Sequence, residues 1–306
     1  MKARFVSAAA LAVSLAALPA AAQPALEVVK VAEGVWGAHP QAGANVGWFV
    51  SGDGVVVVDS GETPAIARAV LEKITETTKK PVRTLILTHA HADHVGGARV
   101  FAAKGAQIVC HENAAGTVAN YVFASPDPKD PADARAPAGS PIVTVSERIF
   151  FVGPAQQVQV LWLGAAHTNG DLVVFLPREK VLFSGDVAIN TPVPYMQASS
   201  CDAHGWERLL VRLAGLPLEK MVPGHGTIGP TVGIQSTGLY VQKTNKLARM
   251  LLETGVPEEY YIAKLREPDN RIEGVPVGDE HVANVKAVAR AERERLSKQA
   301  SPEKKG

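Results

Sequence analysis

Apolar residues fall in short runs along this chain, and the runs follow two different periods. Residues 55–58 are four consecutive valines without polar alternation, which predicts a strand buried on both faces. With residues 46–50 they flank Ser51-Gly52-Asp53-Gly54, so the pair predicts a hairpin. Residues 26–35 predict an edge strand before it. Over residues 64–78 the period changes: Ala65, Ile66, Ala69, Val70 and Ile74 recur at helical spacing. Residues 85–87 and 106–110 predict two more strands, with a short helix over 95–103 between them. Residues 142–151 and 157–163 predict strands of a second sheet. Residues 171–176 and 181–184 predict another hairpin, turned by Pro177-Arg178-Glu179-Lys180. Residues 203–214 predict an amphipathic helix with Trp206, Leu209, Leu210 and Leu213 on one side. A short strand follows over 220–222, stopped by Pro223-Gly224, and then long helices over 232–254 and 279–297. The alternation of strands and helices predicts an α/β fold without internal repeats.

Two stretches break the pattern. Residues 124–141 carry Pro126, Pro128, Pro131, Pro137 and Pro141 with few large apolar side chains, and predict a long loop, either a binding lid or a passive insertion. Residues 1–22 read as a cleavable signal peptide: Lys2 and Arg4, an apolar core over 8–18, and Ala20-Ala21-Ala22 before Gln23. The apolar part is too short to span a bilayer comfortably, so no membrane span is expected in the mature protein. The expected location is periplasmic or secreted.

Composition narrows the partners. Lys plus Arg number 31 and Asp plus Glu 30, so losing Lys2 and Arg4 leaves 29 basic against 30 acidic residues. That balance gives no basic excess for nucleic acid. A small-molecule substrate is the expected partner. Cys110 and Cys201 are the two cysteines. An exported protein could bridge them, but Cys110 ends an apolar run and reads better as a small core residue.

The chemistry concentrates at Thr88-His89-Ala90-His91-Ala92-Asp93-His94, which follows the apolar run ending at Leu87. Imidazole and carboxylate are the ligands that zinc and similar cations take. Further residues of the same kind recur just past apolar runs: His167 after Trp162-Leu163-Gly164-Ala165-Ala166, Asp186 after Phe183-Ser184-Gly185, and His225 after Pro223-Gly224. Glycine beside each allows the sharp turns and close backbone approach that a crowded metal edge needs. His39, His111, His204 and His281 lie outside this pattern and read as ordinary histidines.

The series His-x-His-x-Asp-His, then His167, Asp186 and His225, resembles the metallo-beta-lactamase superfamily, in the branch with a bridging Asp that contains glyoxalase II-like thioesterases and lactonases. The likeness covers residues 28–230 and is weaker over the C-terminal helices. It implies an αββα sandwich, two packed sheets flanked by helices, with a hydrolase domain over 23–254 and a helical extension over 255–306 packed on it. It implies that His89, His91 and His167 hold one cation, that Asp93, His94 and His225 hold a second, and that Asp186 bridges both. Asp59, closing the valine run, would steady the histidine loop from behind.

The expected cofactors are two divalent cations, zinc first, with iron or manganese as alternatives. Two cations about 3.5–4 Å apart can hold a bridging hydroxide at neutral pH. Asp93 would be both ligand and hydrogen-bond acceptor for it. The expected activity is hydrolysis of an acyl compound: ester, lactone, thioester or amide. Relatives with Cys at the place of Asp186 carry Lys three residues later for the carboxylate of a β-lactam; here Ile189 stands there, which makes β-lactams at most a side substrate. A mononuclear iron oxygenase resembling the persulfide dioxygenases is the alternative from another class. Tyr195 is a candidate oxyanion donor or a packed loop aromatic. Trp48, Tyr121 and Phe123 are candidate substrate walls or core residues.

Overall fold

The computed structural model describes residues 25–52, 54–130, 132–152 and 157–300. The expected signal peptide at 1–22, Asp53 of the first hairpin turn, Pro131 of the proline-rich loop and residues after 300 lie outside them.

Seven strands form the first sheet in chain order: β1 (Leu26–Ala32), β2 (Val35–Pro40), β3 (Val46–Ser51), β4 (Gly54–Val58), β5 (Val82–Ile86), β6 (Gln107–His111) and β7 (Ile142–Val145). β1 to β4 run antiparallel, and β4 to β7 are parallel. The second sheet has the order β12-β11-β10-β9-β8, built from β8 (Arg148–Val152), β9 (Gln157–Trp162), β10 (Leu172–Leu176), β11 (Val181–Gly185) and β12 (Lys220–Pro223). β11 and β12 are parallel. The sheets pack face to face on Phe49, Val56, Val58, Ile86, Val174, Leu176 and Phe183. The other face of the first sheet is covered by α1 (Pro64–Thr77), α3 (Ala98–Ala103) and α4 (Ala115–Val122). The outer face of the second carries α5 (Ala203–Ala214), α6 (Val232–Glu253) and α8 (Asp279–Ala300) around Trp206, Tyr240, Leu251 and Val285. This is the expected αββα sandwich. The four valines of β4 are buried throughout, because both faces of that strand are covered.

Local punctuation changed three of the expected elements. The edge strand over 26–35 is two strands, because Glu33-Gly34 turns the chain, with Gly34 at φ 70°. The stretch 142–151 is divided between the sheets: β7 pairs with β6 in the first and β8 with β9 in the second, on either side of Ser146-Glu147. The helix over 95–103 is α2 (Ala92–Val95) followed by α3, broken at Gly96-Gly97. A Cβ at Gly96 would strike the Glu62 carbonyl, and one at Gly97 the Ser60 carbonyl, so these glycines let the histidine loop press on the β4–α1 turn. α4 and α7 (Tyr261–Leu265) lie where no helix is predicted.

The loop over 124–141 is not a lid on the metal edge. Arg99 on α3 makes a buried ion pair with Asp133 and donates to the carbonyls of Ala124 and Ser125, and Arg68 on α1 pairs with Asp130 at 2.5 Å. The loop is tied to the helices behind the first sheet. Trp48 is fully buried in the core and stacks with Trp36; Tyr121 packs on that core and Phe123 is exposed. Cys110 and Cys201 are both free thiols, and burial raises them to about 11 and about 12 respectively. Among the described residues no helix is long and apolar enough to cross a membrane.

Candidate metal centre

Five strand ends deliver the expected residues to one edge of the sandwich. β4 ends at Asp59, β5 at residues 88–94, β9 before His167, β11 at Asp186 and β12 before His225. Within each sheet these strands run parallel or are related by pairs of antiparallel neighbours, so their carboxyl ends share one edge of that sheet. Two groups form there: His89, His91, His167 and Asp186 in one, Asp93, His94 and His225 in the other, the ligand-type atoms of each lying within 4.8 Å of one another. The sequence expectation groups the same seven residues, with Asp186 shared by both sets. Asp186 stands between them. Its Oδ2 is 3.5 Å from His167 Nε2, 3.9 Å from His89 Nε2 and 3.4 Å from His225 Nε2, and its Oδ1 is 3.3 Å from His94 Nε2.

The outer partners of the rings decide which nitrogens face inward. His167 Nδ1 donates to the Tyr195 carbonyl at 2.9 Å, which leaves the Nε2 lone pair of the neutral ring facing the cluster. His94 Nδ1 lies 2.8 Å from Asp59 Oδ2, so its Nε2 also points inward. Asp59 has φ 63°, a left-handed conformation that Asp tolerates through local hydrogen bonds. Its carboxylate accepts from Thr88 N at 2.8 Å and from Thr88 Oγ1, which ties β4 to the start of the histidine loop. Asp59 thus lies against both Thr88 and His94 at the head of the histidine loop.

Electrostatics separate the two groups. Burial, with the neighbouring charges of His94 and His167, holds His89 well below the ordinary imidazole pKa. Burial likewise lowers His167 to about 4. Burial opposes charge on His94, but Asp186 and Asp59 outweigh it and hold its pKa well above the ordinary value. For His225 burial is outweighed by hydrogen bonds to Asp186 and Asp93, and the pKa rises to about 9. Burial works to raise Asp186, but His94, His225 and His167 together hold it well below the carboxylate range. Asp171 accepts from Thr168 N and Oγ1, folding the loop that carries His167; burial raises it to about 7.

This donor set fits divalent cations. His91 Nδ1 lies 3.1 Å from His89 Nε2 and 2.9 Å from His167 Nε2, so three ring nitrogens converge on one point. His94 Nε2 and Asp186 Oδ1 are buried, have no other hydrogen-bond partner and lie 3.3 Å apart. Without a metal the raised pKa of His94 keeps a proton between these two atoms; a cation that displaces that proton suits both the freed nitrogen lone pair and the carboxylate. Gly224 makes room, since a Cβ there would strike Asp186 Oδ1.

Tyr195 rims the centre, its ring edge-on to His91 and His167 at centroid distances of 5.8 Å and 6.2 Å. The four histidines outside the pattern have other partners: Asn45 for His39, Trp162 for His111, Glu292 for His204 and Tyr240 for His281. Residue patterning gives Thr88 no role within its motif and does not single out Asn45 or Asn284. Asn45 donates to the carbonyls of Pro223 and Gly226 and so clasps the turn carrying His225. Asn284 binds the Tyr195 loop from α8. Its one signal in the sequence is a polar residue on the helix face that carries His281, Val285 and Val288.

Residues 40–225 match the metallo-beta-lactamase superfamily. The alpha subunit of a 2,4-dinitroanisole O-demethylase from Nocardioides sp. (strain JS1661) is 30% identical over 178 residues, 58% of this chain and 51% of that protein. A type 2 metallo-beta-lactamase from Bacillus cereus is 28% identical over 182 residues, 58% of this chain and 64% of that one. The chain thus spans less than two thirds of the length of these relatives. Among solved structures, a metallo-beta-lactamase from Pontibacter korlensis has a TM-score of 0.58 at 24% identity, covering 71% of this chain and 99% of that one. The stereoselective inverting sec-alkylsulfatase Pisa1 from Pseudomonas sp. has a TM-score of 0.65 at 16% identity, covering 87% of this chain and 50% of that one. At such identities the two structures speak for the fold. With a match over more than half its length and this fold beneath it, the chain belongs to the metallo-beta-lactamase superfamily, a superfamily of metal-dependent hydrolases.

Proposed function

We propose that the protein is a binuclear zinc hydrolase that cleaves an acyl compound, an ester, lactone, thioester or amide, in the periplasm or outside the cell. The observation that carries this reading is Asp186, whose two oxygens face nitrogens from both ligand groups. His89, His91 and His167 would hold one cation, Asp93, His94 and His225 the other, and Asp186 both. Such a pair lowers the pKa of bound water and polarises the bond to be cleaved. The chain's own residues supply the rest. Asp59 and the Tyr195 carbonyl keep His94 and His167 in the tautomers whose lone pairs face inward. Asp93 lies 3.1 Å from His225 Nε2 and is half-buried, placed to accept a hydrogen bond from the attacking water. The Tyr195 hydroxyl, at the rim, is a donor for the developing oxyanion. Export rests on the signal pattern at 1–22.

The test is metal analysis of the purified protein, followed by nitrocefin, lactone, thioester, ester and phosphodiester substrates. Two zinc per chain and acyl cleavage that stops on chelation are expected. One iron per chain with oxygen consumption would overturn the reading in favour of an oxygenase. Full acyl turnover by His91→Ala or Asp186→Ala would overturn it as well.

A further inference from the structure

Two unlike clefts include residues of the metal centre, and Tyr195 lines the first of them. One, of about 490 Å³, has Asp186 and His225 at its floor and Ile189, Pro192, Val193 and Pro276 as walls. Glu280, exposed in the first turn of α8, stands on its rim. The other, of about 330 Å³, lies on the His91 side and is lined by Asn113, Thr117, Asn169, Ser199 and Ser200. Among the described residues neither cleft is lined by a lysine or an arginine. Glu280 makes no ion pair among the described residues, so its carboxylate is not neutralised there.

We infer that the substrate is bipartite and bears no negative charge: an uncharged or cationic apolar part enters the cleft of Val193 and Pro276, and an uncharged hydrogen-bonding part enters the cleft of Asn113 and Ser199. The inference rests on the metallohydrolase reading and narrows its substrate class. An apolar wall rewards removal of alkyl or aryl surface from water. Asn, Ser and Thr side chains offer both donors and acceptors without selecting a charge. A negative charge at the outer end of the first cleft, away from the His225 floor, meets Glu280 with no lysine or arginine among the lining residues to offset it. An exposed carboxylate acts through high dielectric, so its effect is modest, about threefold for one substrate charge. Carboxylate-bearing lactams and alkyl sulfates are both disfavoured on this ground. Pro276 and Glu280 lie beyond the family-matched residues, so this selectivity is a property of the C-terminal segment.

Three p-nitrophenyl esters of equal acyl length, ending in methyl, trimethylammonium or carboxylate, test the inference on the full zinc-loaded chain. Calorimetric binding of three thiols with matching tails (propanethiol, thiocholine and 3-mercaptopropionate) gives a readout independent of turnover. The carboxylate is expected to be the poorest in kcat/KM and in affinity, by about threefold against methyl, with the cation at least equal to methyl. Glu280→Gln narrows the anion-to-cation ratio and Glu280→Lys inverts it, whereas Glu294→Gln, exposed on the same helix, leaves the ratio where it was. Hydrolysis or thiol binding that favours the carboxylate, or a ratio indifferent to Glu280→Lys, overturns the inference and leaves the metallohydrolase reading standing. Failure to take up metal removes both.

Discussion

Replacing Asn284 with leucine measures how far α8 reaches into the metal centre. Asn284 is fully buried. Its amide nitrogen donates to the Pro194 carbonyl at 2.8 Å and to the Tyr240 hydroxyl at 2.9 Å; its oxygen accepts from Met196 N at 3.0 Å. It therefore grips the backbone on both sides of Tyr195, whose own carbonyl receives the Nδ1 proton of His167. Leucine keeps the volume but orphans Pro194 O and Met196 N, while Tyr240 retains His281 at 2.8 Å. Two buried orphans at about 1–3 kcal/mol each give a loss of ~2–6 kcal/mol, read from denaturant unfolding. A purely structural role would end there. If the clamp also orients His167, the group of His89, His91 and His167 loses about tenfold in cation affinity, the lower end for a partner behind a ligand, while that of Asp93, His94 and His225 is unchanged. Competition with a chromophoric chelator resolves the two steps. Asn284→Asp separates the roles further: its carboxylate accepts from Met196 N but cannot donate to Pro194 O. Two wild-type zinc affinities in Asn284→Leu, alongside lost stability, would refute the link to His167.

Other substitutions probe the same edge and its supports. Asp59→Asn keeps the shape but weakens the hold on His94, and is expected to lower affinity at the second cation by 10–100-fold while the Tm falls little, both measured on one preparation. Gly224→Ala puts a methyl group against Asp186 Oδ1, so the purified variant should carry less metal than wild type at equal fold content by circular dichroism. Arg99→Met leaves Asp133 buried without its partner and should cost about 3–5 kcal/mol with metal content unchanged, because the loop it ties lies away from the metal edge. Glu292 is buried beside Arg295, His204 and Arg249, and hydrogen bonding to Arg295 outweighs its burial and lowers its carboxyl to about 2. Its folded pKa lies below the unfolded value, so its contribution is full above pH ~4.5 and is lost as pH falls towards ~2. With half-exposed arginines screening the pair, that contribution is ~1–2 kcal/mol, and Glu292→Gln should flatten the acid limb of stability against pH.

The parts of the site that the sequence made legible are those whose chemistry is local. His89, His91, Asp93 and His94 sit in one loop, and His167, Asp186 and His225 each follow an apolar run, so strand ends and ligand types coincide in the linear text. Asp59 was readable for the same reason: a single acid closing a run of valines. The sheet assignment of residues 142–151 was not, because two strands of similar composition join through Ser146-Glu147 without a strong breaker, and nothing in period or polarity says that the chain changes sheets there. The proline-rich loop leaves a lid and a passive insertion equally open because prolines report backbone stiffness and not direction; its direction is set by Arg99 and Arg68, whose partners lie 34 and 62 residues away. Asn284 shows the limit most sharply. Its partners Pro194 and Met196 are 90 and 88 residues upstream, and on α8 it is one polar residue among several. Ligands of a metal can be read from their own identities, but the residues that aim those ligands are defined by what they touch. That is why the candidate ligands of this edge are written in residues 88–225, while the helix that lines the cleft beside Asp186 and His225 and holds the Tyr195 loop lies beyond them.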